Sequence, residues 1–563
     1  MALLVTLLLA SVLVAIVYRY LVYPAFLSPL SKVPAANFSA RLSLAWISYI
    51  RYRNAENRTV LALHAKHGPI VLLGPNELSI NSYEGGLKTV YGGGFIKTDF
   101  YPLQFQFYGV PNMFSTVPSE PHSVRKRMTS HTYSKSALLT SQSLRSTTRH
   151  ILSDRFLPLL SRHATSGAPI EFLRVAHAYA MDSFTAFQFG VPRASRWLLD
   201  EGERDWYLKN WLAIRPYQWW VTEAPGLMNL LKRWLGINVI PEAVFKGLED
   251  LEAWNLAKCD GAARALSSTP EAATGRKDGQ EDEKEGVQLG EEPGDKPTIF
   301  EALFTHFKKA YGADCYALPV SNKESGGGDD TSARGRCVLE IASDMFDHNA
   351  AAMETSGLTL TWLLYELSLR PALQKQLRDE LLTLDPPLHY HDQPPMDLPD
   401  PKHLDALPLL DAVIQETLRL WPAITGRQPR VTPADAAGVE LAGHAGLPPG
   451  VTVQAYAFVL HRHPGVFPEP EKWRPERWMK TEGADGEEKE RRLAEMRRWF
   501  WAFGSGGRAC IGRHFAWNAM KHAVASIYTN FTTEIVDAEG IEMTDGWVAS
   551  PRGEKLVLRF RRV

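Results

Sequence analysis

The chain has 563 residues, 45% of them hydrophobic, and its 62 basic and 63 acidic side chains leave a net charge of −1. That length allows a large buried core, and an even charge without a basic domain or dense basic stripe excludes nucleic acid as a partner. Four cysteines, Cys259, Cys315, Cys337 and Cys510, show neither C-x-x-C pairing nor regular spacing, which excludes a zinc site and a disulfide framework and fits a reducing compartment.

Met1 to Val17 is almost wholly aliphatic and runs on through Tyr18, Tyr20, Leu21, Val22 and Tyr23 with Arg19 as its only charge. Roughly 20 such residues cross a bilayer, so residues 1–23 are predicted to form one transmembrane helix with its tyrosines at the headgroups. Arg19, Lys32 and Arg41 on its C-terminal side place the rest of the chain in the cytosol. A cleaved secretory signal is the rival reading, but no basic residue precedes the apolar run and no clear small-residue cleavage site is present. Pro24, Pro29 and Pro34 then make residues 24–36 a stiff connector, followed by one large domain, 37–563.

Gly68 to Asn81 predicts two short strands about a Gly-Pro turn. Two polar stretches, about 267–297 and 321–336, are predicted to be mobile loops flanking Thr298–Leu318. Ser343 to Leu360 is an apolar-rich helical run containing Ala350-Ala351-Ala352-Met353-Glu354-Thr355-Ser356-Gly357. In the helix predicted over Asp411–Leu420, Glu416 and Arg419 stand at i and i+3, share a face and can hold a charge-assisted pair. Arg477, in Arg474-Pro475-Glu476-Arg477-Trp478, can close a three-membered network with them. A third polar insertion, 481–490, follows. Lys489, Arg491, Arg492, Arg497 and Arg498 form either a basic patch for an acidic partner or an exposed helix laced with Glu488, Glu490 and Glu495.

Phe503-Gly504-Ser505-Gly506-Gly507-Arg508-Ala509-Cys510-Ile511-Gly512 puts one cysteine on a glycine-rich loop that opens into a helical run. Unpaired amides at a helix N-terminus and the adjacent Arg508 stabilise a thiolate, and glycines let a flat ligand approach the backbone. Phe503 can close over the sulfur and keep water away. A buried structural cysteine beside a turn is the alternative for any lone Cys.

Spaced F-x-x-G-x-R-x-C-x-G, and preceded in order by the Ala-rich helix, E-x-x-R and the proline-flanked arginine, the loop resembles that of the cytochrome P450 family. The resemblance covers nearly the whole chain after Pro34. It implies a mainly α fold with a small β subdomain and haem b ligated by Cys510, whose thiolate favours O–O cleavage. Phe503, Gly506, Arg508 and Gly512 would belong to the haem loop. Arg430 and Arg508 would meet the haem propionates. The family usually has tryptophan and arginine where His122 and Lys126 stand, so these two, or Arg125 or Arg127, would serve there, unless the segment is a solvated basic face. Glu354 and Thr355 would be the acid and alcohol that guide protons at a locally loosened helix. Ala352 stands where glycine is frequent, which narrows the groove. Glu416, Arg419 and Arg477 would lock the core beneath the haem.

The expected activity is insertion of one oxygen atom from O2 into a mid-sized, mainly hydrophobic metabolite, with likeness to fungal secondary-metabolism enzymes. No G-x-G-x-x-G fingerprint marks a nicotinamide site, so electrons would come from NADPH through a separate cytochrome P450 reductase. The anchor implies an endoplasmic reticulum membrane. Asp347, Ala351 and Thr355, at i, i+4 and i+8, would share the pocket roof, Asp347 giving one polar contact to an amine or hydroxyl. A P450-fold isomerase or dehydratase, which usually lacks the acid and alcohol pair, and a haem-binding sensor are the alternatives.

Overall fold

The computed structural model describes all residues except 268–291, 313–314, 317–334, 392–395, 435–438 and 480–485. Its centre is one uninterrupted helix, Arg336–Ser368, of 33 residues, nearly twice the length predicted. It has no proline or glycine breaker except Gly357, and between Ile341 and Leu364 only Ala351 is exposed. A helix apolar or buried on all sides belongs at the middle of a fold. The helix Phe172–Phe189 crosses it closely: a Cβ on Gly357 would lie 2.3 Å from His177 Cδ2, so glycine is what lets the two backbones approach. Trp362 stacks on Trp421 with centroids 4.3 Å apart, joining the long helix to the end of the Pro408–Leu420 helix.

The predicted hairpin forms strands Ile70–Gly74 and Glu77–Ile80, in antiparallel register Ile70↔Ile80 and Leu72↔Leu78. They head a five-stranded sheet continued by Thr452–Gln454, Arg430–Val431 and Ile96–Lys97. Its last register sets Lys97 opposite Arg430, so topology alone brings two cations together. A second sheet joins Ile170–Glu171, Val557–Arg562 and Phe531–Asp537 near the C-terminus. The architecture is thus mainly α with small sheets.

The N-terminal helix differs from its predicted bounds. It is apolar over Leu3–Leu27, with mean hydropathy 2.2, exposed as far as Tyr23, and long enough to cross a membrane. Pro24 lies inside it instead of opening the connector, because the turns from Tyr18 widen and Ser28 N–H reaches the Tyr23 carbonyl at 2.8 Å. At their edges the predicted polar insertions enter regular structure. Ser267 ends the helix Glu242–Ser267, and 292–297 pack down, with Gly294 buried against Ser146 and the Asp295 carbonyl accepting from Arg193. Arg336 starts the long helix, and residues 486–490 begin the helix Gly486–Trp499. The remainder of each insertion lies outside the described residues.

Candidate active site

The cysteine loop is closed by its own backbone: Cys510 N–H donates to the Phe503 carbonyl at 2.9 Å, and Gly504 N–H to Trp501 at 3.0 Å. Gly504 and Gly506 take φ of +64° and +68°, and Gly506 approaches so near the Tyr91 carbonyl that a Cβ would sit 2.0 Å from it. The helix Arg513–Asn530 follows, and the Gly512 and Arg513 amides at its start donate to the sulfur. Burial nevertheless raises the Cys510 thiol above its ordinary pKa, the amides, Lys126 and Arg513 opposing it. Cys510 is exposed to solvent-sized contact and yet walled by protein, which places it on the lining of a cleft. The positive charge at the sulfur comes from Lys126 and Arg513, not from Arg508 as predicted. Phe503 packs against Trp517 with centroids 5.9 Å apart.

Around this loop stands a group of cations with no carboxylate ion-paired to any of them among the described residues. Arg508 donates to the Thr116 and Val117 carbonyls at 2.6 and 2.7 Å. Lys126 donates to the Gly507 and Ala509 carbonyls at 2.9 and 2.8 Å, pinning the loop from the Ser119–Ser130 helix. Arg430 donates to Tyr101 Oη at 2.6 Å. Lys97, buried on the rings of Tyr101 and Phe114, donates to the Phe114 carbonyl. His122 is pushed down to about 3 by burial first and then by Arg508, Lys97, Lys126 and Arg430, so it stays neutral. Desolvation first, then neighbouring cations, lowers Lys97 as well. Arg125 is turned away to Glu340 and Asp344, and Arg127 is exposed. Lys97 was not singled out in the sequence because a two-residue strand carries no motif; only its register with Arg430 marks it.

Glu416 and Arg419 are fully buried. Arg419 binds both Glu416 oxygens at 2.8 Å and donates to the carbonyls of His461, Pro470 and Lys472. Arg477 Nε reaches Glu416 Oε1 at 3.0 Å, and Arg474 N–H and Trp478 Nε1 complete the carboxylate's shell at 2.8 Å each. The network extends to the cysteine loop: Trp501 N–H donates to His461 Nε2 at 2.7 Å, and His461 Nδ1 lies 2.9 Å from the Arg419 carbonyl. Burial and Arg419 lower His461 to about 3, which fixes it as a neutral ring donating from Nδ1.

On the long helix, Thr355 Oγ1 donates to the Ala351 carbonyl at 2.8 Å and Glu354 pairs with Arg215. The helix is regular here, so the loosening predicted at this point is absent; the threonine satisfies itself on the turn before it. Ala351 is exposed in an otherwise buried stretch, on the helix face it shares with Thr355. Asp347 is buried and makes no hydrogen bond or ion pair among the described residues. Burial, then Asp344, raises it to about 8, Lys97 opposing.

Residues 338–558 match the family model "Cytochrome P450". Cytochrome P450 monooxygenase avaI of Aspergillus versicolor is 26% identical over 80% of this chain and 92% of its own length. Cytochrome P450 monooxygenase FGM1 of Gibberella zeae is 24% identical over 100% of this chain and 97% of its own. Over a shorter stretch, 39% of this chain and 40% of the relative, identity with cytochrome P450 monooxygenase hkm5 of Aspergillus hancockii reaches 30%. Cleft-lining cysteine, buried Glu416 network and these relatives agree: the chain belongs to the cytochrome P450 family and is one of its monooxygenases.

Proposed function

We propose that this chain inserts one oxygen atom from O2 into a mid-sized, mainly hydrophobic metabolite in a fungal secondary pathway, with electrons from NADPH delivered by a separate reductase. The observation that carries the reading is the unneutralised cation group facing the cysteine loop. Lys97, Lys126, Arg430 and Arg508 lack a carboxylate partner among the described residues, and haem b brings two carboxylates to such a place. Cys510 would hold the iron, Gly506 and Gly512 leave the loop backbone flat beside it, and Arg508 and Arg430 would hold the propionates with Lys97. When bound, the haem supplies the oxygen-activating iron. This chain's part would then be positional: Phe503, packed on Trp517, would shield one side of the sulfur, Thr355 would hand on a proton at Oγ1, and Glu354 would replenish it.

The anchor Leu3–Leu27 supports an endoplasmic reticulum membrane with the catalytic domain, 37–563, in the cytosol. Exposed Leu227, Leu230 and Trp234, spaced along the Pro225–Leu235 helix, support contact with the same surface. Asp347 and Ala351 are assigned to the substrate pocket, the carboxyl giving an apolar cavity one polar contact. On the Gly486–Trp499 helix, Arg492 and Arg498 are paired with Glu488 and Glu495, which leaves Arg491 and Arg497 as the exposed charges for a reductase.

The test is the carbon-monoxide difference spectrum of reduced membranes containing the chain. A Soret band at the red-shifted thiolate position, lost in Cys510→Ser, is expected, followed by NADPH- and reductase-dependent turnover. No such band from folded protein overturns the reading.

A further inference from the structure

Tyr133 and His348, which the proposed oxygen insertion does not use, meet in the core between the cysteine loop and the long helix. Both are buried, the Tyr133 hydroxyl lies 3.1 Å from His348 Nδ1, and the rings stand edge-on with centroids 5.7 Å apart. His348 Nε2 is buried without a partner among the described residues. If Nδ1 donated, the phenol proton and the Nε2 lone pair would both be orphaned, whereas a donating phenol orphans only Nε2–H, so Tyr133 donates to Nδ1. Tyr133 N–H still reaches the Thr129 carbonyl at 3.3 Å, so the winding of the Ser119–Ser130 helix runs on to it. It stands at i+7 from Lys126, on the side that holds the Gly507 and Ala509 carbonyls. His348 stands at i−7 from Thr355 and so shares its helix face. Phe184 bridges the His348 ring to Phe515 of the helix that follows Cys510, with centroids 6.4 and 5.1 Å away.

We propose that Tyr133 and His348 are a redox-active pair that returns an electron to the haem when oxidising equivalents arrive there without substrate. The proposal rests on the haem reading of Cys510. The co-reactant is a peracid or hydroperoxide, which leaves the haem short of two electrons; Tyr133 restores one of them. The electron leaves the phenol, the O–H bond breaks, and the proton moves along the hydrogen bond to Nδ1, where an N–H bond forms. Tyr133 is left as a neutral phenoxyl radical and His348 as imidazolium. One electron from the reductase, with return of the proton from Nδ1, restores both. The surroundings suit this division: burial holds His348 neutral, at about 4, and burial first, then Cys510, Asp347 and Asp344, raises the Tyr133 phenol. The phenol therefore keeps its proton until it is oxidised, and the imidazole is free to take it.

The experiment mixes haem-loaded, substrate-free protein with a peracid, freezes it at once and reads electron paramagnetic resonance, with the carbon-monoxide band recorded on the same preparation. A tyrosyl signal is expected in wild type. It should be lost in Tyr133→Phe, and also in His348→Gln, whose amide accepts the phenol's hydrogen bond but cannot take its proton. Tyr133→Phe should also lose haem absorbance faster under repeated additions of peracid. A missing carbon-monoxide band overturns the haem reading and the pair with it. Beside an intact band, a signal absent from wild type, or of wild-type size in either variant, overturns the pair alone.

Discussion

Arg215 donates to Glu354 from the stretch just after the Glu201–Leu212 helix, and its other amine lies 3.8 Å from Glu554 at the C-terminal turn. One side chain thus ties Glu354 to two segments remote in sequence. A partly buried guanidinium there fixes the direction of the Glu354 carboxyl. Glu354→Ala should lower the rate of product formation by about 100-fold, the scale of a positioned proton donor. Arg215→Ala should cost less in rate but raise the peroxide released per NADPH consumed and alter the solvent isotope effect. Unchanged coupling and isotope effect in Arg215→Ala would reduce the pair to a surface contact.

Removing the Glu416 carboxylate leaves Arg419 buried with no counter-charge, and Arg474 N–H and Trp478 Nε1 without an acceptor. Breaking a buried pair in this way costs about 3–5 kcal/mol, a large part of a typical domain's stability. Glu416→Ala is expected to yield little folded, carbon-monoxide-reactive protein. Arg477→Ala, which loses one more peripheral bond, should fold with a lower Tm, and a Glu416→Ala protein as stable as wild type by calorimetry would contradict this.

What could be read from the sequence divides along one physical line. Glu416 with Arg419 and the glycine-flanked Cys510 are local patterns, set by helix spacing and by residues adjacent in the chain, and both form as spaced. Lys97 meets Arg430 only because two short strands pair 333 residues apart in register, and Arg215 meets Glu354 only because the turn after the Glu201–Leu212 helix comes down on the long helix; neither encounter leaves a periodicity. Thr355 shows the converse. Its neighbours suggested a loosened helix, but a threonine able to bond its own i−4 carbonyl at 2.8 Å needs no break.

Six histidines, His64, His122, His177, His348, His461 and His522, are held neutral by burial, at about 4, 3, 3, 4, 3 and 4. Their folded pKa values lie below the unfolded value of 6.5, so the unfolded chain binds more protons as pH falls from there. Stability is therefore intact above pH 6.5 and lost progressively toward pH 4, each group adding up to about 1.4 kcal/mol per pH unit. Asp182 and Asp344, raised by burial to about 6, and Asp347 have the opposite sign and offset part of this. Tm measured from pH 7.5 to 4.5 should fall steeply below pH 6; a flat profile would refute the neutral-histidine core.

Because burial raises its carboxyl to about 8, Asp347 is mostly protonated at pH 7 and would offer a substrate a hydrogen bond more readily than a charge. Asp347→Asn should keep substrate affinity within about threefold at pH 7 while removing the change in affinity between pH 7 and 9. Asp347→Ala should weaken binding by about tenfold, the value of one hydrogen bond. The spin-state shift on substrate titration reads both, and wild-type affinity in Asp347→Ala would remove Asp347 from the pocket.

Glu223, at the end of the short helix Gln218–Glu223, fastens the Pro225–Leu235 helix to the sheet side of the fold: it accepts from Arg51 at 2.9 Å and from Arg427. Arg51 also binds Glu56 at 2.9 Å and Glu77, while Arg427 lies over Phe100 at 4.9 Å. Burial alone would raise Glu223, but Arg427 and Arg51 outweigh it and bring the carboxyl down to about 2. Its folded pKa is below its unfolded one, so the fastening persists above about pH 4.5 and fails only as pH approaches 2. Glu223→Gln keeps the shape and removes the charge, freeing one end of this segment while Glu56 and Glu77 still hold Arg51. Limited trypsin digestion should then cut after Lys232 or Arg233 of the Pro225–Leu235 helix sooner than in wild type, since the segment opens more often. A cleavage rate equal to wild type would mean that the Glu223 pairs do not fasten this helix.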